Sequence, residues 1–306
     1  MITALAGGVG ASKLLRGMVE VVRPEDLTVI VNTGDDLELF GLYISPDVDI
    51  VTYTLAGLVD EERGWGFKGD TFNCLEMLSR YGHDTWFKLG DKDLATHLHR
   101  TLLMKRGYTL SEATAEICRS LGVRSRVIPM SNDRVVSMVH TDTGTMTFEE
   151  YLVKHGMKPE VRGVYYEGAD KAKPAPGVIE ALDEAKLIVI CPSNPVVSIG
   201  PILAVEGVRR ALREAKGRVV AVSPIIAGRP VKGPADRLLK AIGVEVSAYG
   251  VAELYRDFLD VMIIDEVDAA LKPRIEDLGI EVVAAPTLMK SLEDKVRLAK
   301  IVLSLG

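Results

Sequence analysis

A glycine-rich turn near the start of the sequence is the first feature whose residue types could do chemistry. It contains three glycines, Gly7, Gly8 and Gly10. They follow an apolar run, Ile2 to Ala6, that predicts a buried strand, and they precede a helical pattern from Ala11 to about Val22. Glycine permits close approach of the backbone, and the start of a helix presents free N–H groups and a positive dipole. The turn therefore predicts a phosphate site, although a tight strand-to-helix connection without a ligand is the alternative.

Two familiar glycine motifs do not match this turn. It is not a Walker loop, because no Gly-Lys-Ser or Gly-Lys-Thr follows at the required spacing. The dinucleotide fingerprint is incomplete, because Lys13 stands where its third glycine would be. The turn therefore favours a phosphate without identifying the ligand that carries it.

Carboxylates follow the second predicted strand, Leu27 to Val31, at the strand end where open α/β sheets bind ligands. Asp35 and Asp36 lie in the turn directly after this strand. Adjacent carboxylates beside a phosphate suit Mg²⁺, so Asp35 and Asp36 are candidate metal ligands. An acid at this point could instead bind a ribose hydroxyl, or could simply form a turn.

Two further acids, Asp47 and Asp49, precede the apolar pair Ile50 and Val51, which we interpret as part of another strand. Asp47 suits a capping or turn role. Asp49 lies closer to the predicted strand and is therefore the better candidate for contacting a ligand.

A proline-rich polar loop follows the predicted strand Leu187 to Cys191. Its candidate binding residues are Ser193, Asn194, Ser198 and Gly200. Serine and asparagine side chains and free backbone N–H groups could bind a phosphate or a nucleobase edge, and prolines would hold them rigid. The alternative is a stiff connection without a ligand.

Lys88 follows Trp86 and Phe87 in a charged turn between predicted helices, where its ammonium could face a phosphate or an aromatic ring. His97 and His99 are two residues apart, so they point to different faces of a helix and do not predict a shared metal site. No Ser-His-Asp or Cys-His arrangement can be assembled from the remaining histidines.

The order of the predicted elements indicates an α/β fold with a Rossmann-like, doubly wound, mostly parallel sheet. Residues 1–59 and 167–306 are predicted to build this core. Residues 60–122 show helical patterns and predict a helical insertion. Residues 123–166 alternate short apolar runs with turn residues and predict a small antiparallel β insertion.

Composition narrows the class of protein. The 306 residues are 47% hydrophobic and 26% charged, with a net charge of −6, which argues against a nucleic-acid-binding surface. No apolar run approaches the roughly 20 residues that span a membrane, and the start of the sequence does not resemble a signal peptide. The three cysteines lie far apart without a CxxC pair, so we expect a cytoplasmic protein with reduced thiols.

Several segments together, in order along nearly the whole chain, resemble the 2-phospho-L-lactate transferase family, whose enzymes build the deazaflavin coenzyme of methanogens and actinobacteria. Each segment alone is weakly diagnostic, but the ordered set is specific. The segments are residues 7–10, 32–36, 45–49, 64–66, 88–97, 193–201 and 223–226.

This resemblance implies the chemistry. The family transfers the 2-phospho-L-lactyl group from lactyl-2-diphospho-5'-guanosine to 7,8-didemethyl-8-hydroxy-5-deazariboflavin, releases GMP and requires Mg²⁺. It also implies a homodimer, deazaflavin binding by Asp49 and Lys88, and a metal-site acid at Asp35 or Asp36. In this chemistry an aspartate would orient or deprotonate the attacking hydroxyl. We predict Asp35 and Asp49 as the catalytic residues, with Asp49 rather than Asp35 contacting the acceptor. The glycine turn and the loop 193–201 would bind the donor. The choice between a lactyl and an enolpyruvyl donor stays open.

Two other functions remain open from the sequence. A sister branch contains sugar-nucleotide-binding regulatory proteins that share the glycine turn and the Ser-Asn-Pro loop, whereas the region of Trp65, Lys88 and His97 favours the transferase. An NAD-dependent dehydrogenase would also place an acid such as Asp35 after the second strand.

Overall fold

The computed structural model describes residues 1–306, with fourteen strands and twelve α-helices. The strands are β1 (Ile2–Ala6), β2 (Leu27–Val31), β3 (Leu37–Leu39), β4 (Leu42–Ile44), β5 (Arg126–Pro129), β6 (Val136–Thr141), β7 (Gly144–Thr147), β8 (Val161–Glu167), β9 (Leu187–Ile190), β10 (Arg218–Val222), β11 (Ile225–Ile226), β12 (Arg229–Pro230), β13 (Val261–Ile264) and β14 (Glu281–Ala284). The helices are α1 (Gly8–Met18), α2 (Pro46–Leu55), α3 (Asn73–Arg80), α4 (Asp91–Lys105), α5 (Leu110–Ser120), α6 (Val178–Asp183), α7 (Gly200–Ala204), α8 (Val208–Arg213), α9 (Ala235–Ala241), α10 (Ala248–Tyr255), α11 (Lys272–Glu276) and α12 (Leu292–Leu303).

Seven parallel strands form the central sheet in the order β14-β13-β10-β9-β1-β2-β5. From β1 the chain builds outward to β2 and β5, and it then returns to place β9 on the other side of β1. Strand order therefore reverses between β1 and β9, and a crevice opens at the carboxyl ends of such a strand pair. The loops after β1 and β9 meet at this point.

Helices cover both faces of the sheet, which confirms the predicted doubly wound α/β fold. On β1, Ala4 and Ala6 belong to a buried cluster with residues of α1, α2 and α12. Leu5, which points to the opposite face, packs in a second cluster with residues of α6, α8 and α10. No helix of the structure is long and apolar enough to cross a bilayer.

Two local predictions are wrong. Ile50 and Val51 lie in helix α2, not in a strand, because Pro46 begins a helix whose buried side packs on the sheet. Strand β5 falls within the range 123–166 that was predicted to be antiparallel, but it pairs in parallel with β2. The antiparallel sheet is β7-β6-β8, and α3, α4 and α5 lie within 60–122 as predicted. The division of the chain into a core and two insertions stays a prediction.

Substituting Gly10 tests how tightly the chain packs where the strand order reverses between β1 and β9. A Cβ atom at Gly10 would lie 2.0 Å from the Pro192 carbonyl oxygen, in the loop after β9. We expect Gly10→Ala to lower the free energy of unfolding by about 1–3 kcal/mol, because α1 must move away from this loop. Urea unfolding measures the effect. Gly163→Ala is the matched control, since nothing lies within 4 Å of its Cβ position. Equal stability of the two variants would contradict this packing.

Candidate active site

Three segments converge on the glycine turn at the carboxyl end of β1. Gly7 is extended, with φ −159°, and its N–H donates to the Ser193 hydroxyl at 3.3 Å. A Cβ at Gly7 would lie 2.7 Å from Asp47 Oδ2 and 2.7 Å from Ser198 Cβ. Gly8 begins α1 with φ +67°, a conformation that glycine adopts without strain. The turn therefore needs glycine because the start of α2 and the loop after β9 both press against it.

Asn32 connects the loops around this turn. The residue is fully buried, and its Nδ2 group lies 3.1 Å from Asp35 Oδ2, 2.9 Å from Asp47 Oδ2 and 3.1 Å from the Val197 carbonyl oxygen. The Gly34 N–H donates to Asn32 Oδ1 at 2.8 Å and so fixes which end of the amide faces the acids. One amide thereby brings the acid after β2, the acid at the start of α2 and the loop after β9 to one place.

Three buried carboxylates meet here without a salt bridge: Asp35, Asp47 and Glu149. Burial raises the pKa of Asp47 to about 6. Burial and the charge of Asp47 raise the pKa of Glu149 to about 8. The pKa of Asp35 is raised well above its ordinary value by burial and by the charges of Asp47 and Glu149. The three acids therefore repel one another in a site that holds no compensating cation from the chain.

A divalent metal would fit this carboxylate cluster, which we define as Asp35, Asp47 and Glu149. Asp35 Oδ1 is buried and has no hydrogen-bond partner, so an acceptor atom is left free. Carboxylate oxygens are the ligands that Mg²⁺ prefers, and a cation would remove the repulsion among the acids. The donor set and the unpartnered oxygen both suit Mg²⁺.

Asp36 has different partners from Asp35. Its carboxylate accepts hydrogen bonds from the Tyr43 hydroxyl at 2.8 Å and from the Ser45 hydroxyl at 2.6 Å. Burial raises the pKa of Asp36 to about 8. Both oxygens of Asp36 are thus engaged in holding β4 and the start of α2, and its role as a metal ligand stays a prediction.

Asp49 lies on α2 like Asp47, but its carboxylate is neutralised. Both oxygens of Asp49 contact the guanidinium of the fully buried Arg100, with Nη1 at 3.1 Å from Oδ2. His97 Nδ1 lies 3.5 Å from the same oxygen. Ligand atoms of Asp49, Asp93 and His97 lie within 4.8 Å of one another. This second group suits Mg²⁺ less well, because Arg100 already supplies a positive charge to it.

Among the remaining predicted residues, Asn194 and Gly200 support the local fold, and Lys88 lies exposed at the surface. Asn194 Oδ1 accepts from two backbone N–H groups of the loop that it begins, at 3.0 and 3.3 Å. A Cβ at Gly200 would lie 2.0 Å from the Tyr166 hydroxyl oxygen, so Gly200 leaves room for that ring. Lys88 is exposed, precedes α4 and forms no salt bridge. Substrate binding by Asn194, Gly200, Lys88 and Asp49 stays a prediction.

The family model described as 2-phospho-L-lactate transferase CofD matches residues 2–296. The chain belongs to this family. The 2-phospho-L-lactate transferase of Methanopyrus kandleri is 48% identical over 306 residues, covering 99% of this chain and 96% of that protein. The phosphoenolpyruvate transferase of Streptomyces griseus is 45% identical over 311 residues, covering 100% of this chain and 98% of that protein.

A solved UPF0052 family protein from Bacillus halodurans has the same fold, with a TM-score of 0.65 and 18% identity over 99% of this chain and 98% of that one. Likeness at this identity extends to the fold alone. The CofD match decides against the NAD-dependent dehydrogenase and against the regulatory binding protein that the sequence left open. The chain is a transferase of the CofD family.

Sequence reasoning missed three residues of the site in this CofD family member: Asn32, Asp47 and Glu149. Asn32 had a signal, since an amide at a strand end beside acids can orient them. Asp47 follows Pro46 and was interpreted as a cap. Glu149 had no local signal, because it reaches the site from the segment after β7.

Glu149 allows a test through pH. Its raised pKa means that the folded, metal-free protein binds a proton more tightly than the unfolded chain does, so stability falls as pH rises from about 4 to about 8. We expect Glu149→Gln to raise the thermal midpoint at pH 8 and to leave it unchanged near pH 4, measured in chelator. The exposed Glu160→Gln serves as control. A gain that is independent of pH would contradict the repulsion among the three acids.

Proposed function

We propose that the chain transfers a 2-phospho-L-lactyl group, or its enolpyruvyl counterpart, from a guanosine diphosphate donor to the hydroxyl of a deazariboflavin, with release of GMP. Family membership and the names of both groups of relatives support this reaction. The observation that carries the proposal is the carboxylate cluster beside the glycine turn at the reversal of strand order. A diphosphate on the turn would lie next to acids that lack a cation.

We propose that Asp35 and Asp47 hold Mg²⁺, with Glu149 beside them. When bound, the metal would neutralise charge on the diphosphate and improve GMP as the leaving group. Asn32 orients both acids toward it, and the surrounding protein excludes water, since all three carboxylates are buried. Electrostatic effects are strong in such a site.

The chain's own groups would position both substrates, which is the main task in phosphoryl transfer. The free N–H groups in the first turn of α1 would bind phosphate oxygens. The Ser193 hydroxyl holds the turn that presents them by accepting from the Gly7 N–H, and Ser198 packs against Gly7. We propose that Asp49 contacts the acceptor, as the family resemblance implies. Because Arg100 engages both of its oxygens, Asp49 would orient the acceptor hydroxyl rather than take its proton.

A deazariboflavin-dependent assay tests the reaction. We expect the purified protein to release GMP when both a guanosine diphosphate donor and deazariboflavin are present, and not when either is omitted. The sequence identity to relatives does not choose between the two donors, because a 2-phospho-L-lactate transferase is 48% identical and a phosphoenolpyruvate transferase is 45% identical. Comparing kcat/KM for the lactyl and the enolpyruvyl donor therefore identifies the natural group. If neither donor gives GMP in the presence of Mg²⁺, the proposed reaction is wrong.

Asp35 and Asp36 are adjacent, so they form a matched pair for the metal site. We expect Asp35→Asn to lower turnover at least about a hundredfold, equivalent to about 3 kcal/mol, because it removes a ligand oxygen that nothing else engages. It should also weaken Mg²⁺ binding in a calorimetric titration. Asp36→Asn should change Mg²⁺ affinity little, since Tyr43 and Ser45 engage Asp36. An equal loss of Mg²⁺ affinity in both variants would instead support the original pairing of Asp35 with Asp36.

The homodimer and the cytoplasmic location stay predictions. Exposed apolar side chains on α3 and α4 and directly after α3 would suit a subunit interface. They are Met77, Tyr81, Leu98 and Leu102. Analytical ultracentrifugation of the purified protein tests the dimer, and a monomer at micromolar concentration would exclude it.

A further inference from the structure

Two lysines lie together beside the first turns of α1 without a carboxylate partner. Lys13 is on α1, and its Nζ donates to the Met289 carbonyl oxygen at 3.4 Å. Lys232 reaches the same place from the loop between β12 and α9. Its Nζ lies 3.5 Å from the position that a Cβ would take at Gly64, and Val9 Cγ1 of α1 lies 3.2 Å from that same point. Neither lysine forms a salt bridge.

This pairing of like charges is unfavourable as it stands. Burial, and after it the charge of Lys13, lowers the pKa of Lys232. Lys295 borders the same small cavity as Lys13, but Glu61 neutralises it at 2.7 Å. The fold therefore supplies an anion to the neighbouring lysine and leaves Lys13 and Lys232 without one. A bound anion would remove their repulsion.

A buried polar atom in the same cavity also lacks a partner. Thr54 is 3% exposed, its hydroxyl makes no hydrogen bond, and it lines the cavity with Val9, Lys13 and Gly64. The cavity has a volume of about 20 Å³, enough for one water molecule and too small for a phosphate. An anion would lie above it, between the two ammonium groups, with a water connecting it to Thr54.

We propose that Lys13 and Lys232 bind the phosphate of the nucleotide half of the donor, and the same phosphate in the GMP product. This inference rests on the proposed function. Of the two substrates, the deazariboflavin acceptor carries no phosphate, so the anion must come from the donor. The lysine pair thereby becomes a binding element that the sequence motifs did not indicate.

The placement also fixes the direction in which the donor lies. Asp35 lies in the turn after β2, whereas the ammonium of Lys232 lies beside Gly64 and beside Val9 of α1. The phosphorus that bears the lactyl group would lie toward the carboxylate cluster, and the guanosine phosphate toward the lysines. The acceptor oxygen forms a bond to the first phosphorus, the bridging oxygen leaves with GMP, and the hydroxyl proton is released. Lys13 and Lys232 would stabilise the negative charge that develops on the GMP phosphate.

Titration of the intact protein with GMP, without acceptor, tests the proposal separately from turnover. We expect Lys13→Ala and Lys232→Ala each to raise the Kd for GMP about tenfold or more, because each removes a charged hydrogen bond. Lys232→Arg should recover part of the affinity. Lys240→Ala, an exposed lysine on the next helix, should bind GMP as the unchanged protein does. Circular dichroism establishes that each variant is folded.

Turnover measured in parallel separates the two claims. If the unchanged protein turns over the donor and folded Lys13→Ala and Lys232→Ala bind GMP normally, the lysine site is wrong and the proposed reaction stands. If GMP binding is lost in these variants and the unchanged protein gives no turnover with either donor, the nucleotide site stands and the proposed reaction is wrong. In active protein, both variants should raise the donor KM and leave the acceptor KM unchanged.

Discussion

The side-chain amide of Asn32 is the contact on which the rest of the site depends. Its two hydrogens face three acceptors, Asp35, Asp47 and the Val197 carbonyl, so at least one hydrogen is shared. The amide cannot turn over, because the Gly34 N–H holds its oxygen. A neutral donor in this position lets two carboxylates approach each other in a buried place. A lysine there would neutralise them, whereas Asn32 leaves their charge uncompensated.

The contrast between Asp47 and Asp49 explains how one helix serves two purposes. Asp49 pairs with the buried Arg100, which fastens α2 to α4, and a buried pair of this kind is strongly destabilising to break. Asp47 accepts hydrogen bonds from the Asn32 amide and the Gly8 backbone N–H but forms no salt bridge, so no cation of the chain neutralises it. Asp49 thus anchors helix α2 to α4, and Asp47 belongs to the carboxylate cluster. The repulsion among Asp35, Asp47 and Glu149 therefore destabilises the folded protein when all three are charged.

Much of the fold was predictable, because the buried strands are short apolar runs that end in glycine or polar turns. The reversal of strand order followed from the order of these runs. The place of Asp35 at the site followed from its position after β2. Glu149 was not predictable, since 114 positions separate it from Asp35 and only the docking of the antiparallel sheet brings the two together. Ile50 and Val51 misled the prediction, because β-branched residues favour strands yet also pack well on a helix that covers a sheet. The lysine pair also depends on the approach of the loop after β12 to α1, and this approach leaves no local sequence pattern.

Asp35 and Asp47, held by Asn32, are proposed to form the metal site. The most direct measurement is an anomalous difference map from a crystal of the protein soaked with Mn²⁺ in place of Mg²⁺. We expect a peak beside the glycine turn at coordination distance, about 2 Å, from oxygens of Asp35 and Asp47. A peak at Asp49, Asp93 and His97 instead, or none in the carboxylate cluster at saturating Mn²⁺, would contradict it.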